Sequence, residues 1–462
     1  MFAACSTHIF SPLQSLFCRT QKEHPPKTEA KYVSDEFLPE ESDAPFSIAI
    51  IGAGIGGLTL AIGCLKQDVS FVLYEAAARY SIIGAGVGIG PNAVRAMYMI
   101  DPKLRDMYYE TSSGNLTPGK EHVMMEAMYA EEGFGEKRGC PPAPFGAECY
   151  QRTSAHRRDL LNHLTSMIPR HQVRFSKRVV DVQQLPNSVI IHFEDGETVE
   201  HTAVIGADGV KGPIRRFVLG KDFPNEVAPT YTGRYVYRFT IPIQEAQKIL
   251  GNLADDAKCF MGDGVNLMAY PISRGTEYNI VAVVCKEEPW THDKWTKKVS
   301  KEEMVADFKG KVDERLIKML DWAEPVQWSL HHHINTPIYY NRRLCLLGDS
   351  AHGTTPHQAA GAGQGIEDAL IMSHVLGKVK TPQQLTVAFE IFDSIRRPRA
   401  QRVVQTSYEC GQIYSLAHPE FEDDLARIAI NLNRRFLWIW EHDLELDLKK
   451  ADVMFEMLTA SV

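Results

Sequence analysis

The chain has 462 residues, 23% of them charged and 44% hydrophobic, the composition of a globular protein large enough for two or three domains. A formal net charge of −8 without a basic stripe argues against a nucleic-acid partner. The 9 cysteines are scattered, odd in number and free of paired metal-ligand spacings, so they read as reduced thiols of a cytoplasmic protein.

Residues 1–44 begin with Phe, Ser and Cys and continue with Lys, Glu and Pro. They carry no core pattern and read as a disordered extension, and Arg19 alone is a poor import signal. Phe46 to Ile51 is a short apolar run with β-branched residues. Gly52-Ala53-Gly54-Ile55-Gly56-Gly57 follows, then a helical pattern to Lys66, then a second apolar run, Val69 to Tyr74, that ends at Glu75. This is the dinucleotide fingerprint in its required strand–glycine–helix–strand context. Gly52 permits the tight turn, Gly54 lets the backbone approach a pyrophosphate, and Gly57 lets the helix sit close to the strand. Glu75 is placed for ribose hydroxyls. The same glycines speak against reading residues 48–65 as a membrane span.

Ile83 to Asn92 is a glycine-rich loop leading into a helix, and residues 111–149 are rich in Gly, Pro and Glu and read as an irregular insertion. A helical pattern returns at His156 to Leu161. Residues 173–182 and 188–193 alternate like strands around Pro186-Asn187. Thr202 to Gly209 is a second buried strand ending in an acid and a glycine, with Arg215 beyond it. From Tyr231 to Val284 the pattern is strand-rich and aromatic, the place for a substrate-facing sheet. His331-His332-His333 cannot share one metal if it lies on a strand, because neighbours point to opposite faces, and it reads as a solvated strand end. No Ser/His/Asp set or metal constellation is present in the sequence.

Leu346-Leu347-Gly348-Asp349 then runs through Pro356-His357-Gln358 to Gly361-Ala362-Gly363-Gln364-Gly365 and a helical stretch. One carboxylate stands at a strand end and unblocked N–H groups stand at a helix start. That suits a polyol together with an anionic or electron-rich ring system. His352 and His357 flank this loop, where a ligand contact and a structural hydrogen bond are equally compatible with the sequence. Helical patterns over residues 383–404 and 420–457 close the chain. The expected organisation is an extension (1–44), a nucleotide-binding domain in two parts (45–225 and 336–380), an intervening β-sheet domain (226–335) and a helical region (381–462).

The glycine fingerprint, Ala207-Asp208-Gly209 with Arg215, and Gly348-Asp349 occur in an order that resembles the single-component FAD-dependent aromatic monooxygenases. Among them the chain is most similar to salicylate hydroxylase and to fungal phenol and polyketide hydroxylases. Gly84 to Asn92, His156 to Leu161, Arg396 to Gln401 and Trp438 to Asp443 match as well, so the resemblance covers roughly residues 47–451. It implies an α/β flavoprotein hydroxylase fold: a Rossmann-like FAD-binding domain interrupted by a β-sheet substrate domain, with C-terminal helices. It implies FAD as cofactor and NADPH or NADH as co-substrate. O₂ and a small phenolic substrate are the other partners of a monomer or homodimer. By this resemblance Gly52, Gly54, Gly57 and Asp208 belong to the cofactor site. Glu75 holds the adenosine ribose, Gly88 lies in a loop along the flavin, and Arg157 contacts the cofactor. Asp349 meets the ribityl–pyrophosphate region and Ala362 the isoalloxazine edge, and Gly361 belongs to the cofactor site as well. The family usually has Ser where this chain has Gly212 followed by Pro213, so the second motif is altered.

The implied reaction is reduction of FAD by NAD(P)H, addition of O₂ to give a flavin C4a-hydroperoxide, and attack of its terminal oxygen on an electron-rich ring carbon. A phenolate directs that attack, which calls for a buried cation and exclusion of water. Arg238 and Tyr270 align with an arginine and a tyrosine that grip a phenolate in fungal relatives, with Arg234 and Tyr237 as competitors. The outcome is hydroxylation in fungal polyketide metabolism or, as the alternative, a salicylate-type hydroxylation that releases CO₂. A flavin-dependent halogenase or epoxidase on the same scaffold is a further alternative, but a halogenase would carry extra tryptophan motifs, which are missing. A non-catalytic flavin-binding protein would not need the intact loop from Asp349 to Gly365.

Overall fold

The structure, a computed structural model, describes residues 45–80 and 86–460. The expected extension at residues 1–44 and the Ile83 to Ala85 part of the glycine-rich loop lie outside the described residues.

Ile48–Ile51 is buried along its whole length and pairs in parallel with Phe71–Tyr74 on one side and Ala203–Gly206 on the other. An uninterrupted apolar, β-branched run is what a central parallel strand requires, because helices cover both faces of such a sheet. The sheet has six strands in the order Tyr340–Asn341, Leu344–Leu346, Ala203–Gly206, Ile48–Ile51, Phe71–Tyr74 and Val173–Arg174. Both acid-bearing motifs and the glycine fingerprint therefore leave neighbouring parallel strands at the same end, which is where ligands bind in open α/β sheets. Helix Ile55–Lys66 packs beside helix Gly361–Leu376 in the same core.

The second large sheet has eight strands: Thr296–Lys298, Val326–His332, Thr230–Pro242, Glu277–Cys285, Val265–Ile272, Lys258–Gly262, Val123–Tyr129 and Ala143–Gly146, in that order. One face packs on the long helix Gln384–Tyr414 and on helix Leu425–Arg435. The other packs on helices Ile243–Leu250, Lys301–Phe308 and Glu314–Met319. Among the described residues no helix is long and apolar enough to cross a membrane.

Three sequence expectations change. Residues 111–149 are not a mere irregular insertion: Val123–Tyr129 pairs in parallel with Lys258–Gly262, and Ala143–Gly146 pairs antiparallel beside it. The single strand expected over residues 173–182 is two, Val173–Arg174 in the parallel sheet and Val179–Gln184 in a separate three-stranded sheet. The three histidines are not a solvated strand end. His332 and His333 are only 4% and 3% exposed, because the long helix brings Tyr408 within 5.3 Å of the His332 ring and the His333 Nε2 lies 3.1 Å from the Val210 carbonyl.

A fully buried ion network joins these layers. Glu367 accepts from Arg396 (2.6 Å), from Arg399 (2.7 and 2.8 Å) and from Asn92 (2.5 Å). Asp368 accepts from Arg396 (2.8 Å) and from the Gly348 N–H (3.0 Å), and lies 2.5 Å from His352 Nε2. The arginines Arg396 and Arg399 hold the Glu367 carboxyl far below the usual carboxylate range against the opposing effect of burial. A depressed folded-state pKa contributes stability above the unfolded value near pH 4.3 and loses it only as pH falls toward the folded value. Glu367→Gln leaves two buried guanidinium groups without their shared carboxylate. The expected loss is roughly 3–5 kcal/mol at neutral pH, read from urea denaturation.

Candidate active site

At the end of Ile48–Ile51 the chain turns through Gly52, whose φ of +105° and whose 2.5 Å approach of a would-be Cβ to the Ala207 carbonyl exclude a side chain. Gly57 is excluded from bearing one by the Gly52 carbonyl, 2.0 Å from its would-be Cβ. Gly54, by contrast, has open space in front of it, and it precedes a helix with no side-chain cap and no acid in its first turn. The N–H groups there are left for an anion. Glu75 closes the turn, accepting from the N–H groups of Ala53 (2.9 Å) and Ala77 (2.8 Å).

The Gly348-Asp349 turn lies opposite. Gly348 has φ +65°, and a Cβ on Gly365 would come within 3.6 Å of the Gly56 Cα and 3.7 Å of the Gly348 Cα, so helix Gly361–Leu376 lies backbone to backbone against both glycine turns. Helix Gly361–Leu376 also begins without a side-chain cap or an acid in its first turn. Arg215, 2% exposed, fixes the turn from behind through the carbonyls of Ser350 and Ala351 and the Thr336 hydroxyl.

Between these loops and the large sheet lies a cavity of about 330 Å³. It brings together Gly54, Gly88, Arg157, Arg238, Tyr270, Asp349, Gly361 and Ala362. Gly52, Gly57 and Glu75 shape the loops from outside its wall. Asp208 does not reach it either. Its Oδ2 accepts from the Ile214 N–H at 2.9 Å, its Oδ1 has no partner, and burial lifts its carboxyl to about 7. A Cβ on Gly212 would stand 2.0 Å from the Asp208 carboxyl carbon, so a side chain at this position would have to displace that carboxylate.

The sheet wall follows from strand register. Arg238 pairs with Val281 and Val281 with Met268, so the three side chains form one row across adjacent strands, and Tyr270 lies two residues further along the same face. Of the competing candidates, Tyr237 points to the opposite face, where it donates to Asp307 at 2.7 Å. Arg234 is buried over the Tyr408 ring at 4.8 Å. Arg238 is exposed to the cavity it lines; desolvation by the surrounding walls and the neighbouring Arg157 lower its pKa while Tyr270 opposes them, as expected for three groups around one space. Asp349 is the one acid among the described residues lining the cavity, which leaves the sheet end cationic.

His357 and His352 part company. His352 is consumed by Asp368, whereas His357 lines the cavity, is 1% exposed and has no hydrogen-bond partner on either ring nitrogen. Burial first, then Arg234, pull its pKa down to about 3 and keep it neutral. Met124 and Met125, from the strand that composition had hidden, supply an apolar thioether wall that sequence reasoning missed. Their only signal was the apolar run Val123 to Tyr129 between Gly- and Pro-rich flanks.

Two uncapped helix starts, a glycine with open space before it, an acid at each end of the loops and a partner-free Arg157 Nε fit a dinucleotide with an extended ring system. Comparison with known proteins agrees. The family described as FAD binding domain matches residues 46–407. An FAD-dependent monooxygenase of Gibberella moniliformis is 38% identical over 421 residues, covering 88% of this chain and 96% of the relative. The 6-methylsalicylate 1-monooxygenase of Aspergillus terreus is 35% identical over 416 residues, covering 88% and 92%. A solved salicylate hydroxylase substrate complex superposes with a TM-score of 0.78 at 29% identity, covering 89% and 98%.

Gly54 and Gly57 separate fold from ligand. Gly54→Ala meets no protein atom but enters the cavity, so the apoprotein should keep its thermal midpoint while FAD affinity falls about tenfold or more. Gly57→Ala should lower the midpoint itself. Calorimetry and FAD titration of both variants check this pair, and wild-type FAD affinity in Gly54→Ala would contradict it.

Proposed function

Because the chain belongs to the FAD binding domain family and is an FAD-dependent monooxygenase, we propose that it hydroxylates a phenolic ring held by Arg238 and Tyr270, using NAD(P)H and O₂. The observation that carries this reading is the cationic end of the cavity, where Arg238 and Tyr270 project from one face of the large sheet beside the glycine loops.

In this reading the N–H groups at the starts of helices Ile55–Lys66 and Gly361–Leu376 hold the FAD pyrophosphate, with Gly52 and Gly57 shaping the approach. Glu75 takes the adenosine ribose and Asp349 the ribityl chain. Gly88, Arg157, Gly361 and Ala362 border the ring system, and Asp208 acts indirectly by shaping its own loop. When bound, the flavin supplies hydride acceptance from NAD(P)H and transfer of one oxygen atom of O₂.

Arg238 stabilises the deprotonated phenol that directs attack on the ring, and Tyr270 Oη donates a hydrogen bond to a second anionic oxygen of the same substrate, the ring carboxylate where one is present. His357, neutral and with both ring nitrogens unpartnered, accepts a hydrogen bond from a substrate hydroxyl; its low pKa makes it an acceptor and not a store for the proton. Met124, Met125, Met268 and Val281 exclude water and set the ring's orientation. The names of the relatives make hydroxybenzoates the first substrates to test.

The test is NADH and NADPH consumption by the FAD-loaded protein over salicylate, 6-methylsalicylate and phenols lacking a carboxyl group, with product mass recorded. One compound should stimulate oxidation and gain one oxygen, with loss of CO₂ if attack falls on the carboxyl-bearing carbon. Arg238→Gln should keep FAD and lose roughly 10- to 100-fold in kcat/KM, the worth of a hydrogen bond to a charged group. If no phenol stimulates oxidation, or Arg238→Gln is unaffected, the reading fails.

A further inference from the structure

Arg152 is a guanidinium that nothing described so far employs. It is 2% exposed, and among the described residues it has no carboxylate within ion-pair distance. Its guanidinium carbon lies over the Tyr270 ring, 4.8 Å from the centroid. Nη1 reaches only the Tyr150 hydroxyl, at 3.5 Å, and Nε and Nη2 have no partner. A buried cation without an acid is costly, and the side chain that faces it is the tyrosine on the cavity wall.

The surroundings hold that contact in register. Arg152 stands two residues before strand Ser154–His156, which pairs with Gly86–Gly88 in the loop along the cavity. The Ser154 hydroxyl donates to the Pro271 carbonyl at 2.8 Å, tying this segment to the residue after Tyr270. A Cβ on Gly86 would stand 3.0 Å from the Tyr270 hydroxyl, so the loop and the phenol touch. Arg152 thus sits behind the ring and Arg238 beside it. Both oppose the effect of burial, which raises the Tyr270 pKa.

We propose that Arg152 is a positioning residue that holds Tyr270 by its ring face and turns its hydroxyl into an anion-binding end of the pocket, so that the enzyme selects aromatic substrates bearing a full negative charge over neutral ones. A cation on one face of a phenol attracts the ring's electron density and strengthens the O–H as a donor. The effect at the substrate is felt only through Tyr270. The proposal therefore rests on the reading in which Tyr270 meets the substrate.

Salicylate and its neutral amide, salicylamide, are the probes, and the readout is their dissociation constant from the shift of flavin absorbance in the FAD-loaded enzyme. Wild type should favour salicylate. Arg152→Met should weaken salicylate by about tenfold or more and salicylamide by less than about twofold, with FAD content unchanged. Arg152→Lys, which keeps the charge, should recover part of the salicylate affinity and serves if the methionine variant fails to fold. Equal weakening of both ligands, no weakening of either, or a wild type without preference for salicylate would overturn the proposal. Tyr270→Phe separates the two levels: if it leaves salicylate binding intact, the reading of Tyr270 fails, whereas loss in Tyr270→Phe alone sinks only the role of Arg152.

Discussion

The site depends on a balanced set of charges that never meets water. Glu367 and Asp368 stand side by side on helix Gly361–Leu376, and Arg396 and Arg399 answer them from the long helix Gln384–Tyr414. Two acids and two guanidinium groups cancel, and each carboxylate oxygen of Glu367 and Asp368 has at least one polar partner. Such a network stabilises only while complete, since removal of one member strands the others. Its reach exceeds its size. Asn92 ties in the helix after the glycine-rich loop, the Gly348 N–H and His352 tie in the Asp349 turn, and Arg399 holds the carbonyls of Trp438 and Ile439 near the C-terminus. Segments far apart in sequence are thereby fixed around the start of one helix. That start is where the cavity expects an anion.

Close backbone approach does the rest. Gly56, Gly348 and Gly365 allow backbone from different parts of the chain to touch, and the surface they present to the cavity carries no side chain. The large sheet then presents its row of Arg238, Val281 and Met268 toward that surface. The cavity thus has a polar anchor at one end and a cationic, thioether-lined wall at the other.

What the sequence made legible was local. The strand Ile48–Ile51, its glycines, the helix to Lys66 and Glu75 lie within one supersecondary unit, and each residue's chemistry follows from its neighbours in the chain. Arg238 and Tyr270 are candidates by family resemblance alone, and the strand register gives them a common face. What stayed hidden depends on distant partners. Val123–Tyr129 becomes a strand because Lys258–Gly262 pairs with it, with Lys258 and Glu126 132 residues apart. Composition alone saw a Gly-, Pro- and Glu-rich stretch there. His332 and His333 are buried only because the long helix and the Val210 loop cover them. His357 differs from His352 for the same reason: one meets Asp368 and the other meets the cavity.

A crystal structure of the protein with FAD and salicylate tests the account most directly. The pyrophosphate should lie against the helix starts at Gly54 and Gly361, and the salicylate within hydrogen-bond reach of both Arg238 and Tyr270. A salicylate bound away from that pair, with FAD in place, would contradict it.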